Sequence, residues 1–413
     1  MSDSPPTVCL LTAGHVSSTP RLVREAEALC DAGYRVHVVA GRSFRPADGL
    51  DGALLRNARW TLERLDSLNG PAAALRKLQQ RLARRLVRQA PFASVRIAAL
   101  AQYAGALAQA KLAARHRADF YLGHQLAGLA MAVLAARSVN AHAGFDIEDD
   151  HDNETIDAMR DPALSTAARI IQARLLSECS HLTAASPLIA RRYAARYGVK
   201  ATTLLNVYPR ADAPAAPHPA APITVETPAL LYWFSQTIGP GRGLETLLRA
   251  VARAKTPIAI QLRGHVSPTY RNTLEQLARD LGARAPRFLP SAEPTEMVRL
   301  AAHAHLGLSL EEKTPPNRNI CLPNKNFAYL LAGIPQVLSD TEAHTALAAD
   351  LGEAGLLVPL DDLDEFARRL DDFLAAPECQ ARARTHAWKL AHERYCWDVE
   401  RETFLKLVRK MLR

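Results

Sequence analysis

Six prolines (Pro209, Pro214, Pro217, Pro219, Pro222 and Pro228) crowd one alanine-rich stretch near the middle of the 413-residue chain. Proline fixes φ and removes a backbone donor, so this stretch cannot build a regular helix or strand. It reads as a linker over 209–228, and it leaves two lengths of chain that are each large enough for a core of their own. The same rhythm opens on both sides of it. In the first half, an apolar strand over 7–12 leads through a short loop (13–20) to a helix over 21–32 with Leu22, Ala26 and Leu29 on one face. Gly33 ends that helix, and a second strand covers 35–40. Strand, helix and strand in so few residues make a right-handed βαβ unit with parallel strands. In the second half, a strand over 230–234 is followed by a glycine-rich loop, a helix from Leu244 and a strand over 258–263. The expected architecture is α/β, with two doubly wound domains facing across a cleft, over 1–208 and 229–390. Ligands of such sheets bind outside the carboxyl ends of the strands. A last helix over 391–413 carries Phe404, Leu405, Val408, Met411 and Leu412 on one face, and is expected to dock back on the first domain.

Composition narrows the class. The apolar share of 48% and charged share of 23% are those of a globular chain. The six cysteines are scattered without zinc-finger spacing, which reads as free thiols in a reducing compartment. The N-terminus has no basic segment ahead of its short apolar run and reads as a first strand, not a secretion signal. The longest apolar run, over 126–136, is well short of the ~20 residues of a membrane span. A cytoplasmic protein is expected.

Two motifs carry chemistry. Gly239-Pro240-Gly241-Arg242-Gly243 lies between a strand and a helix. Backbone N–H groups in such a loop can approach a phosphate, the helix start favours negative charge, and Arg242 adds a delocalised cation. The plain alternative is an ordinary turn with a surface arginine. Asn324 and Lys325, after Pro323, would open a second helix, where donors converge; the alternative is a helix cap with a solvated lysine.

Together the motifs resemble glycosyltransferase family 4, whose members have the GT-B fold of two Rossmann-like domains. The matching residues are Arg242-Gly243-Leu244, then Pro323-Asn324-Lys325-Asn326-Phe327-Ala328-Tyr329, then Ala332-Gly333-Ile334-Pro335. In the first half, the segments Ser17 to Arg21, Asp119 to His124 and Phe145 to Asp149 are also similar. The resemblance implies a metal-independent, retaining transfer of a sugar from a nucleotide-diphosphate sugar to a hydroxyl acceptor, with no cofactor and no metal ligands. It implies that His124 faces the donor sugar and that Glu148 and Asp149 lie at the cleft in catalytic roles. Gly14 and His15 would line the cleft, while Gly239, Gly241, Arg242, Gly243, Asn324 and Lys325 would hold the donor. The chain departs from the pattern at two places. Ala328 stands where the family's ribose-binding glutamate is usual, and Ser235-Gln236 replaces an arginine, for which Arg263 is the candidate substitute. Those departures keep two other readings open: a sugar-nucleotide epimerase or hydrolase, and a non-catalytic binding protein of the same fold. Asp150-His151-Asp152 has the DxD form of a metal site but reads as solvated loop acids.

The remaining feature is charge. Residues 67–118 hold ten cations and no Asp or Glu, within a chain of formal net charge +9. On a helical wheel Leu75, Leu78, Leu82 and Leu86 share one face, with Lys77, Arg81, Arg84 and Arg88 roughly opposite. This basic amphipathic helix is expected to make a peripheral contact with anionic membrane through 75–90. That points to a lipid-linked or envelope glycan acceptor at the inner membrane face. Few aromatics and no recognition fold argue against nucleic acid.

Overall fold

The computed structural model describes residues 5–90, 92–154 and 161–413. Residues 1–4, on which the leader reading partly rests, lie outside them. The chain divides into two compact units, Met1–Leu204 with Arg401–Arg413, and Leu205–Glu400. The proline-rich stretch falls inside the second unit.

The first unit alternates strands and helices: β1 Thr7–Thr12, α1 Pro20–Asp31, β2 Arg35–Arg42, α2 Asp48–Leu55, β3 Thr61–Asp66, α3 Pro71–Gln89, α4 Val95–Gln102, α5 Ala106–Ala114, β4 Phe120–His124, α6 Gln125–Val139, β5 His142–Ile147, α7 Pro162–Leu175, β6 His181–Ala184, α8 Pro187–Tyr197 and β7 Thr202–Thr203. The sheet order is β3-β2-β1-β4-β5-β6-β7, every neighbouring pair parallel. β1 is buried on both faces, as a central parallel strand must be. Four helices (α1, α3, α7 and α8) open on proline, whose missing N–H costs nothing at a helix start.

The basic region folds as three helices, with α4 opening at the Ser94 cap and α5 at Gly105. The edge strand β3 has no clear alternation in its sequence and is half-exposed, so it left no hydrophobic signature. The amphipathic helix α3 buries Ala73, Ala83 and Val87, and its four leucines point outward.

The second unit repeats the plan: β8 Ala229–Ile238, α9 Leu244–Val251, β9 Ile258–Val266, α10 Pro268–Asp280, β10 Arg287–Leu289, α11 Met297–Ala301, β11 Leu306–Ser309, α12 Pro316–Ile320, α13 Asn324–Leu331, β12 Gln336–Ser339, α14 Glu342–Leu351, β13 Gly355–Val358, α15 Leu363–Leu374 and α16 Pro377–Glu393. Its six strands run in the order β10-β9-β8-β11-β12-β13, all parallel. Leu231, Trp233, Ile260, Leu262, Leu308 and Val337 form the centre of its core. The last helix, α17 Trp397–Met411, changes unit along its length. Its Arg401 pairs with Asp31 at 2.9 Å, and Phe404 meets the His181 ring edge-on, both within the first unit.

Each sheet reverses its winding once, between β1 and β4 and between β8 and β11. In the first unit this switch point is held open by a close approach of helix to strand. A Cβ on Gly123 would lie 2.2 Å from the Gly128 carbonyl oxygen, so only glycine lets the first turn of α6 lie flush on β4. Gly123→Ala is therefore expected to lower stability by about 1–3 kcal/mol through backbone displacement. It would be seen as a lower urea midpoint at unchanged slope; an unchanged midpoint would contradict this packing.

Candidate functional site

In the first unit the residues beside the switch point build a cavity of about 540 Å3, lined among others by Tyr103, Gln125, Glu148, Asp149, His151 and Asp152. Gln125 opens α6 with φ +61°, a left-handed conformation that costs energy for a side chain other than glycine and collects at working sites. Glu148 follows β5 and is partly exposed to the cavity.

Beneath Glu148 lies a buried ionic cluster. Arg21 of α1 reaches Asp146 at 2.6 Å, and Thr183 donates to the same carboxylate at 2.6 Å. The His124 ring sits among three acids: Nε2 is 3.0 Å from Glu25, and Nδ1 is 3.4 Å from Glu148 and 3.7 Å from Asp146. Burial alone would depress this imidazole, but Glu25, Glu148 and Asp146 outweigh it and push its pKa up to about 10. Burial likewise works against the Glu25 carboxylate, yet His124 and Arg21 hold it below its ordinary range. His124 is fully buried. Both ring nitrogens are turned to carboxylates, and Nδ1 lies against Glu148.

Gly14 lies in the loop after β1, its N–H on Thr12 Oγ1 at 3.3 Å and its carbonyl accepting from Gly41. His15 has no nitrogen left for a ligand. Its Nε2 accepts from the N–H groups of Ser43 and Phe44, and its Nδ1 is 2.8 Å from Asp51. It ties the loop after β1 to the loop after β2. The acids of the DxD tripeptide are not loose in solvent either. Asp150 accepts from Asn153, and Asp152 accepts from Gln172 and pairs with Arg196 at 2.9 Å.

Two further groups of His and acid could hold a cation by spacing, His15 with Asp48 and Asp51, and His124 with Asp146 and Glu148. In both, arginine already supplies the positive charge: Arg42 and Arg64 on Asp48, Arg64 on Asp51, and Arg21 on Asp146.

The second unit assembles a different chemistry at its own switch point. Gly241 (φ +71°) and Gly243 (φ +66°) turn the loop after β8 through left-handed backbone, and a Cβ on Gly243 would strike the Leu310 carbonyl at 2.6 Å. Arg242 reaches across to Glu311, just past β11, at 3.2 Å. Lys325, in the first turn of α13, contacts the other oxygen of Glu311 and lies 5.4 Å from the Trp233 ring centre. The lysine is buried, so the reading of a solvated side chain fails. Burial would raise the Glu311 carboxylate, but Lys325 and Arg242 hold it at about 2. A third cation, Arg318 of α12, donates to the Gly241 carbonyl. Two cations thus share one carboxylate while a third holds the glycine loop itself, which leaves positive charge in excess there.

Gly239 and Asn324 frame this cluster, Gly239 in the open part of the loop and Asn324 as the first residue of α13. Arg263 is directed elsewhere: its guanidinium donates to Tyr232 Oη and to the Pro290 carbonyl, both at 2.8 Å. Ala328 is wholly buried in α13. Sequence reasoning missed Arg318, Arg21 and Glu25. Arg318 sits in no motif, and Arg21 and Glu25 are four residues apart on a helix, a spacing that usually marks a surface pair.

No family model fits this chain, and no curated protein matches it in sequence. Solved structures match its shape over almost all its length. Sucrose-phosphate synthase from Thermosynechococcus elongatus gives a TM-score of 0.69 at 13% identity, over 98% of this chain and 99% of that one. HepE from Anabaena, solved in complex with UDP-glucose, gives 0.67 at 16% identity, over 98% and 99%. The lipopolysaccharide outer core galactosyltransferase WaaB gives 0.62 at 12% identity, over 98% and 99%. The fold is GT-B. Within that fold the two clusters occupy the strand ends of their own sheets, and their side chains, not the likeness, carry the chemistry.

The His124 cluster makes a pH prediction. Its pKa rises from 6.5 to about 10 on folding, so its stabilising contribution is complete below 6.5 and is lost as pH rises through 10. His124→Gln should therefore lower the melting temperature most at pH 6, with the gap to wild type closing toward pH 10. A gap independent of pH would show that the ring is not held as a cation.

Proposed function

We propose that this chain is a glycosyltransferase that moves a sugar from a nucleoside-diphosphate sugar to a hydroxyl acceptor. The observation that carries the proposal is the excess positive charge of Arg242, Arg318 and Lys325 around the Gly241–Gly243 turn. When the bond between the anomeric carbon and the diphosphate breaks, negative charge develops on the leaving phosphate. Cations and backbone N–H groups fixed in advance stabilise that charge without reorganising. Arg242 suits this role best, since it is part-exposed and its ion pair engages only Nη1. Gly239, Gly241, Gly243 and Asn324 complete the donor cradle. The complex of HepE with UDP-glucose supports a uridine nucleotide as the first donor to test.

The first unit supplies the other half of the reaction. Glu148 and Asp149 line its cavity, and in this reading one of them orients the acceptor hydroxyl or accepts its proton. His124 keeps Glu148 in place as a positioning residue. With the diphosphate charge met by protein cations, the transfer needs no metal at the donor phosphates, and retention of anomeric configuration is what the motif resemblance to glycosyltransferase family 4 implies. We read the acceptor as a lipid-linked or envelope glycan, met at the cytoplasmic face of the membrane. Ala328 favours a second reading, a binding protein without turnover, because the buried methyl group offers no ribose-holding carboxylate.

Calorimetry with UDP tests the donor site directly. Arg242→Ala should weaken UDP binding by at least about tenfold, or ~1.4 kcal/mol, with the melting temperature unchanged because Lys325 still neutralises Glu311. Equal affinity in the variant would overturn the assignment. Release of free sugar or of a sugar isomer from donor alone would replace transfer by hydrolysis or epimerisation.

A further inference from the structure

The outward face of α3 is the largest feature of the first unit that the proposed reaction does not use. Leu75, Leu78, Leu82 and Leu86 are 56%, 52%, 55% and 48% exposed, although their spacing puts them in one row. A single exposed leucine is unremarkable; an aligned row of four is a contiguous apolar stripe. Just beyond the helix Phe92 is 87% exposed.

The helix is not loosely attached. Its opposite side buries Ala73, Ala83 and Val87 and packs on α4 and α7. Arg84 Nε donates to the Ala101 carbonyl at 3.0 Å, Arg76 to the Asp66 carbonyl, and Arg88 to Asp161 at 2.9 Å. The leucine stripe is therefore presented by a firmly seated helix. Beside it, on one flank, Lys77, Arg81 and Arg85 are exposed. No Asp or Glu occurs anywhere from 67 to 118 to balance them.

We infer that this face docks on an anionic lipid bilayer, with α3 lying in the plane of the interface. The leucines would enter the acyl boundary, while the long stems of Lys77, Arg81 and Arg85 carry their charges back to the headgroups. Each such cation near an anionic surface adds attraction that salt screens. Charge decides between occupants. A second copy of the chain would bring the same unbalanced cations face to face, and a nucleic acid has no use for a leucine row. α3 is a surface element and not a span: among the described residues no helix is long and apolar enough to cross a membrane. The inference does not depend on the donor site, so each can fail alone.

The test is co-sedimentation of the full chain with two kinds of vesicle, phosphatidylcholine alone and phosphatidylcholine mixed equally with phosphatidylglycerol. Wild type should pellet with the mixed vesicles at low salt, at least about tenfold more strongly than with neutral ones. Leu78→Gln with Leu82→Gln should lower partition about tenfold or more, and Arg81→Gln with Arg85→Gln should remove the preference for the anionic lipid. Both variants change exposed side chains, so melting temperature and UDP binding should stay as in wild type. The inference is overturned if wild type ignores anionic vesicles or if the leucine variant binds them as wild type does. It is equally overturned if ultracentrifugation finds a dimer that the leucine variant dissociates.

Discussion

Parallel pairing forces every strand of a sheet to finish at the same edge. In both units that edge is where the chemistry sits, because the loops that follow the strands are the only parts of the sheet free to vary without breaking a ladder. β1, β4 and β5 deliver Gly14, His124 and Glu148 to one end of the first sheet, and β8 and β11 deliver the glycine loop and Glu311 to one end of the second. At each switch point the adjacent loops leave in opposite directions, and the gap between them is room for a ligand.

Both units then place charge where solvent is scarce, in opposite ways. The first buries Arg21 and His124 among Glu25, Asp146 and Glu148, a cluster whose members largely satisfy one another. Burying such charges is costly unless every one is matched, so the cluster acts as a rigid floor under the partly exposed Glu148. The second unit leaves its charges unmatched, with Arg242 and Lys325 on the one carboxylate of Glu311 and Arg318 on the carbonyl of the glycine loop. A floor and a receptor are different uses of the same residue types, and local charge balance tells them apart.

This balance also explains what could be read from the chain alone. The two halves were legible because apolar runs of β1, β4, β8 and β9 and the proline stretch are local signals. The glycine loop was legible because positive φ at Gly241 and Gly243 demands the residue itself. For His124 and His15 nothing local shows that Glu25, Asp51 or the Ser43 amide will meet their nitrogens. Arg318 was invisible because its partner, the Gly241 carbonyl, is distant in sequence and belongs to the backbone. For α3 the wheel gives a stripe of leucines, and only the packing of the small residues Ala73 and Ala83 shows which side the helix buries.

Glu311 binds two cations with its two oxygens, and this has a consequence for the history of the sequence. A change at Glu311 alone strands a buried lysine, and a change at Lys325 alone leaves the buried carboxylate with only the part-exposed Arg242. Either single step passes through a less stable protein, so the two positions are expected to be inherited as a unit and to be lost together. Arg242, attached to the same carboxylate from a more open position, is under looser restraint. Its identity is set by what the loop must hold, and the residue found there in related chains would record the ligand more faithfully than the lysine beneath it.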